Sequence, residues 1–208
     1  MSTYFETRLS HHPGRTATWR AICARLQGNV RATDTVVDVG AGRADFINNI
    51  RAAERIAVDL EPGASRFCSE GVRFVPGSAT DLPLPPGSVD VCFASNLLEH
   101  LNDEEVVRAL ASMRTVLRPG GRLILIQPNY YYAYREYWDD FTHKKAFSHR
   151  SLADAVVTAG FVLREVVPRF LPFSFKSSIP TSYWLVRAYL ASPWRPLAKQ
   201  MLVIATKG

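Results

Sequence analysis

His143 closes the run Asp139-Asp140-Phe141-Thr142-His143, and it is the side chain in this sequence best suited to taking a proton. Imidazole titrates near neutrality, and Asp140 or Asp139, three or four residues earlier, would orient it if this stretch were helical. The competing reading makes the same groups caps of a loop or partners of the next helix. Asp139, Asp140 and His143 could also be set around a metal ion, but three ligands without a clear fourth argue against one, and no metal is expected. His100, in L-L-E-H-L, suits a structural or cofactor-side role better than catalysis. The adjacent His11 and His12 lie on a polar, irregular N-terminal arm and read as solvated.

A second group of candidates surrounds two glycines. In T-V-V-D-V-G-A-G-R-A-D-F, residues 35–46, a β-branched run reads as a buried strand. Asp38 precedes Gly40, Ala41 and Gly42, and the segment from Arg43 to Ile50 is compatible with a helix. Strand, glycine turn and helix let a backbone approach a ligand closely. A second strand, Ile56 to Leu60, ends on Asp59, where a carboxylate can accept bonds from ribose hydroxyls. The full dinucleotide pattern G-x-G-x-x-G is not met, because Arg43, Ala44 and Asp45 follow the second glycine.

The elements that must hold these residues follow in order. Trp19, Ile22, Cys23 and Leu26 share one face of a helix that stops near Gly28. Val72 to Val75 is a third strand, and the proline-broken loop Gly77 to Gly87 leads to a fourth, Val89 to Ser95. Asn102, with Glu105 three residues on, caps a helix whose buried face is Val106, Leu110, Met113 and Leu117. A turn at Arg118-Pro119-Gly120-Gly121 precedes a fifth strand, Arg122 to Ile126. After Gln127-Pro128-Asn129 comes a tyrosine-rich loop, then a helix capped by Ser148 with an apolar stripe at Leu152, Ala155, Val156 and Ala159. Strands at Phe161 to Val167 and Gln200 to Thr206 flank an insertion, Pro168 to Lys199, with a short helix at Tyr183 to Leu190. Ligands of an open α/β sheet bind beyond the carboxyl ends of its strands. The first, second and fourth loops would take a cofactor, leaving the tyrosine loop and the insertion to bound an acceptor.

Four motifs in succession over residues 36–127 make this pattern specific: D-V-G-A-G with its later acidic strand end, G-S-A-T-D-L-P-L-P-P-G-S-V-D-V, L-L-E-H-L, and V-L-R-P-G-G-R-L-I-L. Together they resemble the class I S-adenosylmethionine-dependent methyltransferases, in the small-molecule branch that includes ubiquinone- and menaquinone-type enzymes. The resemblance implies a Rossmann-like seven-stranded sheet in the order 3-2-1-4-5-7-6, strand 7 antiparallel, helices on both faces, and S-adenosyl-L-methionine as cofactor. It places Asp38, Gly40, Ala41 and Gly42 by the methionine part of the cofactor, and Asp59, with Leu60 beside it, at the ribose hydroxyls. Ser78, Ala79 and Asp81 would flank the adenine, while Ser95, Asn96 and Leu97 line the floor. The family usually carries Asp where this chain has Ser78, so the adenine amine would be met by Asp81 or by backbone around Ala79. The stretch P-R-F-L-P-F-S-F-K-S and the Q-P-N loop look like methyltransferases encoded with glycan-assembly enzymes.

The 208 residues, 47% hydrophobic, suit one domain, with residues 1–30 as arm and first helix, and 128–147 and 168–199 on the acceptor side. No apolar run reaches membrane-span length and the N-terminus lacks a signal-peptide core, so a cytoplasmic protein is expected. Cys23, Cys68 and Cys92 are scattered in apolar contexts and read as small buried hydrophobes. The net charge of +6 falls entirely after residue 160, where seven Lys/Arg meet one acid, Glu165. Within 168–199, five cations join Phe170, Phe173, Phe175, Trp184 and Trp194, which suits peripheral contact with an anionic lipid surface or a lipid-linked acceptor. The alternative is that these aromatics pack over the sheet. A nicotinamide-dependent oxidoreductase is disfavoured by the missing third glycine. A nucleic-acid-binding module is disfavoured too, since no basic run is denser than Lys144-Lys145, and no nucleic-acid partner is expected.

Overall fold

The structure, a computed structural model, describes residues 14–172 and 182–208. One sheet of seven strands organises them: β1 (Thr35–Val39), β2 (Glu54–Asp59), β3 (Val72–Pro76), β4 (Val89–Ser95), β5 (Leu117–Pro128), β6 (Phe161–Pro172) and β7 (Ala198–Lys207). Their spatial order is β3-β2-β1-β4-β5-β7-β6. The first five run parallel, and β7 is antiparallel to both β5 and β6. A central parallel strand is buried on both faces, which is why β1 is apolar but for Thr35 and Asp38 and why all five of its residues are buried.

Alternate residues of each strand face two apolar layers. Val37 and Val39 pack with Val106, Leu110 and Met113 of α2 (Asp103–Val116) and with Leu152 and Val156 of α4 (His149–Thr158). Val36 faces the other way, with Trp19, Ile22, Cys23 and Leu26 of α1 (Arg15–Leu26) and Leu190 of α5 (Tyr183–Ala191). Helices therefore cover both sides, each buried aliphatic side chain contributing about 1.5–3 kcal/mol. The caps form as the sequence suggests. Asn102 Oδ1 accepts from Glu105 N at 2.9 Å and Glu105 Oε2 accepts from Asn102 N at 2.8 Å, while Ser148 and Ser151 close the same kind of box on α4.

Several local expectations are corrected. Arg43 to Ile50 forms consecutive turns and no regular helix. Ala44 takes φ +56°, outside helical backbone space, so the chain can drop Phe46 onto Phe93 of β4, with ring centroids 3.6 Å apart. The amides after the glycines thus belong to a tight turn and supply no helix dipole. Leu117 leaves the helix and starts β5, where it pairs with Val89 ahead of a register shift at Val89/Val91. The tyrosine loop carries one helical turn, α3 (Tyr130–Ala133). Because β6 runs on to Pro172 and β7 starts at Ala198, the insertion is confined to residues 173–197. Cys23 and Cys92 are buried and Cys68 is half-buried, all three as free thiols. His11, His12, Phe173, Phe175 and Lys176 lie outside the described residues.

Candidate functional site at the carboxyl ends of the strands

The glycine turn after β1 is bound to the end of β2 by three short contacts. Gly40 N and Ala41 N donate to Val58 O at 2.8 and 3.1 Å, and Gly42 N donates to Asp59 Oδ2 at 2.8 Å. The second oxygen of Asp59, Oδ1, accepts from Glu61 N at 2.9 Å. Each carboxylate oxygen retains a lone pair for a further donor, so the backbone sets the orientation of Asp59 and leaves capacity for hydroxyls. Gly40 has φ +69°, and a Cβ there would stand 2.9 Å from Leu97 Cδ1. The turn therefore rests directly on the residue that follows Asn96, with no room for a side chain.

Around that turn the other predicted residues occupy distinct positions. Asp38 is buried beneath it and its carboxylate accepts from the Ile47 amide; burial pushes its pKa well up, with the charges of Asp45 and Asp59 adding to the rise. Asn96, at φ +49°, ends β4 by donating its amide to Ile126 O and accepting from Gln200 Nε2 at 3.2 Å, and its Nδ2 donates to Ser95 Oγ at 3.4 Å. Leu60 is 73% exposed beside Asp59. Ser78 Oγ is hydrogen-bonded to Thr80 Oγ1 at 2.8 Å and accepts from Thr80 N, which ties it into its own turn. Ala79 is buried and Asp81 exposed, its amide donating to Ser78 O.

Beyond Leu97 the chain makes a 3-10 turn, Leu98–His100, and meets the tyrosine loop. The imidazoles of His100 and His143 lie 5.0 Å apart, centroid to centroid. Residues 140–143 form a turn closed by His143 N donating to Asp140 O, so the helical spacing that would aim Asp140 at His143 does not arise. Asp140 Oδ1 instead accepts from Thr142 Oγ1 at 2.6 Å and Thr142 N at 3.0 Å. With its hydroxyl proton committed to that carboxylate, Thr142 Oγ1 accepts from His100 Nδ1 at 3.0 Å. His143 Nδ1 donates to Tyr137 O at 2.7 Å. Both histidines are thereby held as Nδ1–H tautomers with the lone pair on Nε2. Burial lowers the pKa of His100, favouring its neutral form.

Glu99 is the residue that sequence reasoning passed over. Its side chain is 1% exposed, and its Oε2 has no hydrogen-bond partner among the described residues. Burial raises its pKa to about 8, with the charge of Asp140 adding to the rise. Its carbonyl accepts from Lys144 N and Lys145 N, which docks the loop onto β4's exit. Tyr137, fully buried, donates its hydroxyl to Lys145 O at 2.5 Å. Asn129 is equally hidden; its side chain donates to Pro168 O and accepts from His149 N, so the Q-P-N loop is pinned to β6 and α4. The L-L-E-H-L and Q-P-N motifs marked both places, but nothing in their spacing tells that Glu99 turns inward.

A glycine turn joined through its amides to the end of β2, an oriented carboxylate at that strand's carboxyl end and a small buried residue, Ala79, fit S-adenosylmethionine, whose adenosine and methionine parts diverge from one sulfur. Residues 37–125 match the family described as the methyltransferase domain. An uncharacterized methyltransferase of Mycobacterium sp. (strain KMS) is 40% identical over 96 residues, covering 44% of this chain and 37% of that protein. The malonyl-[acyl-carrier protein] O-methyltransferase of Methylococcus capsulatus is 32% identical over 142 residues, covering 61% of this chain and 51% of that protein. The chain thus spans about half the length, or less, of these curated relatives. In three dimensions it is similar to a SAM-dependent methyltransferase, possible histamine N-methyltransferase, of Thermotoga maritima, with TM-score 0.68, 18% identity, and coverage of 99% of this chain and 93% of the other.

Proposed function

We propose, from the match of residues 37–125 to a methyltransferase domain and from the seven-stranded sheet, that the chain is an S-adenosylmethionine-dependent methyltransferase acting on a small-molecule, saccharide or lipid-linked acceptor. The observation that carries this reading is the joint between Gly42 N and Asp59 Oδ2 at 2.8 Å, which makes one preset surface of the two motifs. S-adenosyl-L-methionine supplies a methyl group on a positively charged sulfur, open to attack from the side opposite the departing thioether.

The chain's own residues then have three tasks. Gly40, Ala41 and Gly42, over Leu97, hold the methionine part; Asp59 accepts from the ribose hydroxyls; Ala79 and Asp81 meet the adenine, with Ser78 locked in its turn and Asp38 supporting the whole from below. The second task is alignment, worth up to about 7–11 kcal/mol when the attacking atom is held in line. Tyr131, Tyr134, Trp138 and Phe141, more than half exposed on the tyrosine loop, give an acceptor apolar and ring-stacking surface. The third is removal of the acceptor proton, which falls to the His100 and His143 side of the site. Asp140 acts there through Thr142, as a positioning residue for His100.

Titration calorimetry with S-adenosylhomocysteine and NAD tests the cofactor. Micromolar or tighter binding of the first and none of the second is expected, and the reverse result would reassign the fold to an oxidoreductase. Incubating the protein with methyl-labelled cofactor and fractionated cell extract identifies the acceptor; base-stable label on a lipid or glycan fraction is the expected product, and label on protein or RNA alone would overturn the small-molecule reading.

A further inference from the structure

Glu99, His100 and His143 bring one carboxylate and two imidazoles together with their ligand-capable atoms all within 4.8 Å of one another. From this geometry we infer that the cluster is a site for one divalent transition-metal ion, held by Glu99 and by Nε2 of both histidines, with its remaining positions open to an acceptor oxygen. The inference rests on the methyltransferase reading for that last role, and on the cluster alone for the metal.

Three independent features point to a cation there. Two neutral imidazoles and a carboxylate are a donor set that suits Mn²⁺, Fe²⁺, Co²⁺ or Zn²⁺ better than Mg²⁺, which prefers an all-oxygen shell. A buried carboxylate oxygen without a partner is costly, and Glu99 Oε2 is one; coordination would satisfy it. Finally, ligating histidines are normally oriented by a hydrogen bond from their other ring nitrogen to a carbonyl or carboxylate. His143 Nδ1 meets Tyr137 O at 2.7 Å, and His100 Nδ1 is linked through Thr142 Oγ1 to Asp140. Among the described residues, the ammonium groups of Lys144 and Lys145 pair with Glu105 at 3.5 Å and Asp103 at 2.7 Å.

The position relative to the cofactor surface is set by the chain. Leu97 packs beneath Gly40, and Glu99 and His100 follow it by two and three residues, at the end of the same strand. Three protein ligands leave the open coordination that catalytic metals use to bind and acidify an oxygen. An acceptor hydroxyl bound there would lose its proton to solvent near neutral pH and face the methyl group as an alkoxide, with both histidines serving as ligands and neither as base.

The full chain, stripped with chelator, is titrated with Co²⁺ and followed by visible absorption, with zinc content measured separately by mass spectrometry. One equivalent of Co²⁺ giving a d–d band that Zn²⁺ abolishes is expected. Glu99→Gln and His143→Gln should each weaken Co²⁺ binding at least about 100-fold, and Thr142→Val about 10–100-fold through loss of the group that orients His100. Wild-type protein that takes up no Co²⁺ or Zn²⁺, or an affinity indifferent to all three substitutions, overturns the site. If the buried Glu99→Gln variant fails to fold, Thr142→Val and His143→Gln decide the matter. S-adenosylhomocysteine binding is read in parallel: its absence counts against the cofactor assignment and leaves a metal signal standing, while its presence without metal leaves the cofactor assignment standing.

Discussion

Asp59 Oδ2 accepts the Gly42 amide at 2.8 Å, so the acid that ends β2 is a structural strut of the glycine turn before it is a ligand of anything else. Removing it takes their acceptor from the Gly42 and Glu61 amides and, under the proposed function, a charged acceptor from the ribose hydroxyls.

Asp59→Ala is therefore expected to weaken S-adenosylhomocysteine binding by about 1.5–3 kcal/mol, the range for a hydrogen bond to a charged group. Asp59→Asn, which retains one oxygen, should fall between that variant and the wild type. Calorimetry on the two variants checks this, and equal affinity in all three proteins would take Asp59 out of the site.

Asp38 gives stability a pH dependence. Its pKa in the fold is raised, through burial first and the charges of Asp45 and Asp59 after it. Below the unfolded value near 3.8 the group is protonated in both states and costs nothing. As pH rises above that value the unfolded chain ionises first and the folded state loses ground, by up to about 1.4 kcal/mol per pH unit, until the folded pKa is passed. Asn at this position keeps an oxygen for the Ile47 amide and removes the titration. Asp38→Asn is expected to gain stability over the wild type as pH increases from 4 to 8, measured by urea unfolding. A difference constant across that range would show that Asp38 is ionised in the fold.

The central strand was legible in the sequence because β1 is a short β-branched run ended by a glycine, and a strand buried on both faces has few other compositions open to it. Asn102 and Ser148 were legible as caps, since a capping box is a local pattern. Arg43 to Ile50 was not, because its composition tolerates a helix while Phe46 reaches Phe93 only if Ala44 leaves helical space. The pairing of His100 with His143 spans 43 residues and is created by the fold, through Glu99 O receiving the amides of Lys144 and Lys145. The link from Asp140 through Thr142 to His100 likewise crosses more than forty residues, and local spacing does not encode it.

The acceptor's physical state is open to a direct measurement at α5. Among the described residues no helix is long and apolar enough to cross a membrane, yet Trp184 and Trp194 are each 77% exposed, with Leu185 and Leu197 more than half exposed. Exposed tryptophans of this kind settle at the headgroup level of a bilayer. The cations around them are mostly engaged. Lys199 pairs with Glu136, Arg195 donates to the carbonyls of Ser192, Leu190 and Arg169, and the Arg169 guanidinium lies 5.1 Å from the Tyr132 ring centroid. Attachment should then depend more on the aromatic residues than on charge, each free cation adding about 1 kcal/mol at an anionic surface. In sedimentation with phosphatidylglycerol-containing vesicles the protein is expected to pellet at low salt, to be released in part and not wholly as salt rises, and to lose attachment in the Trp184→Ala, Trp194→Ala double variant. No pelleting with anionic or neutral vesicles at any salt would make this face a wall of the acceptor pocket or a contact with another protein, and would favour a water-soluble acceptor over a lipid-linked one.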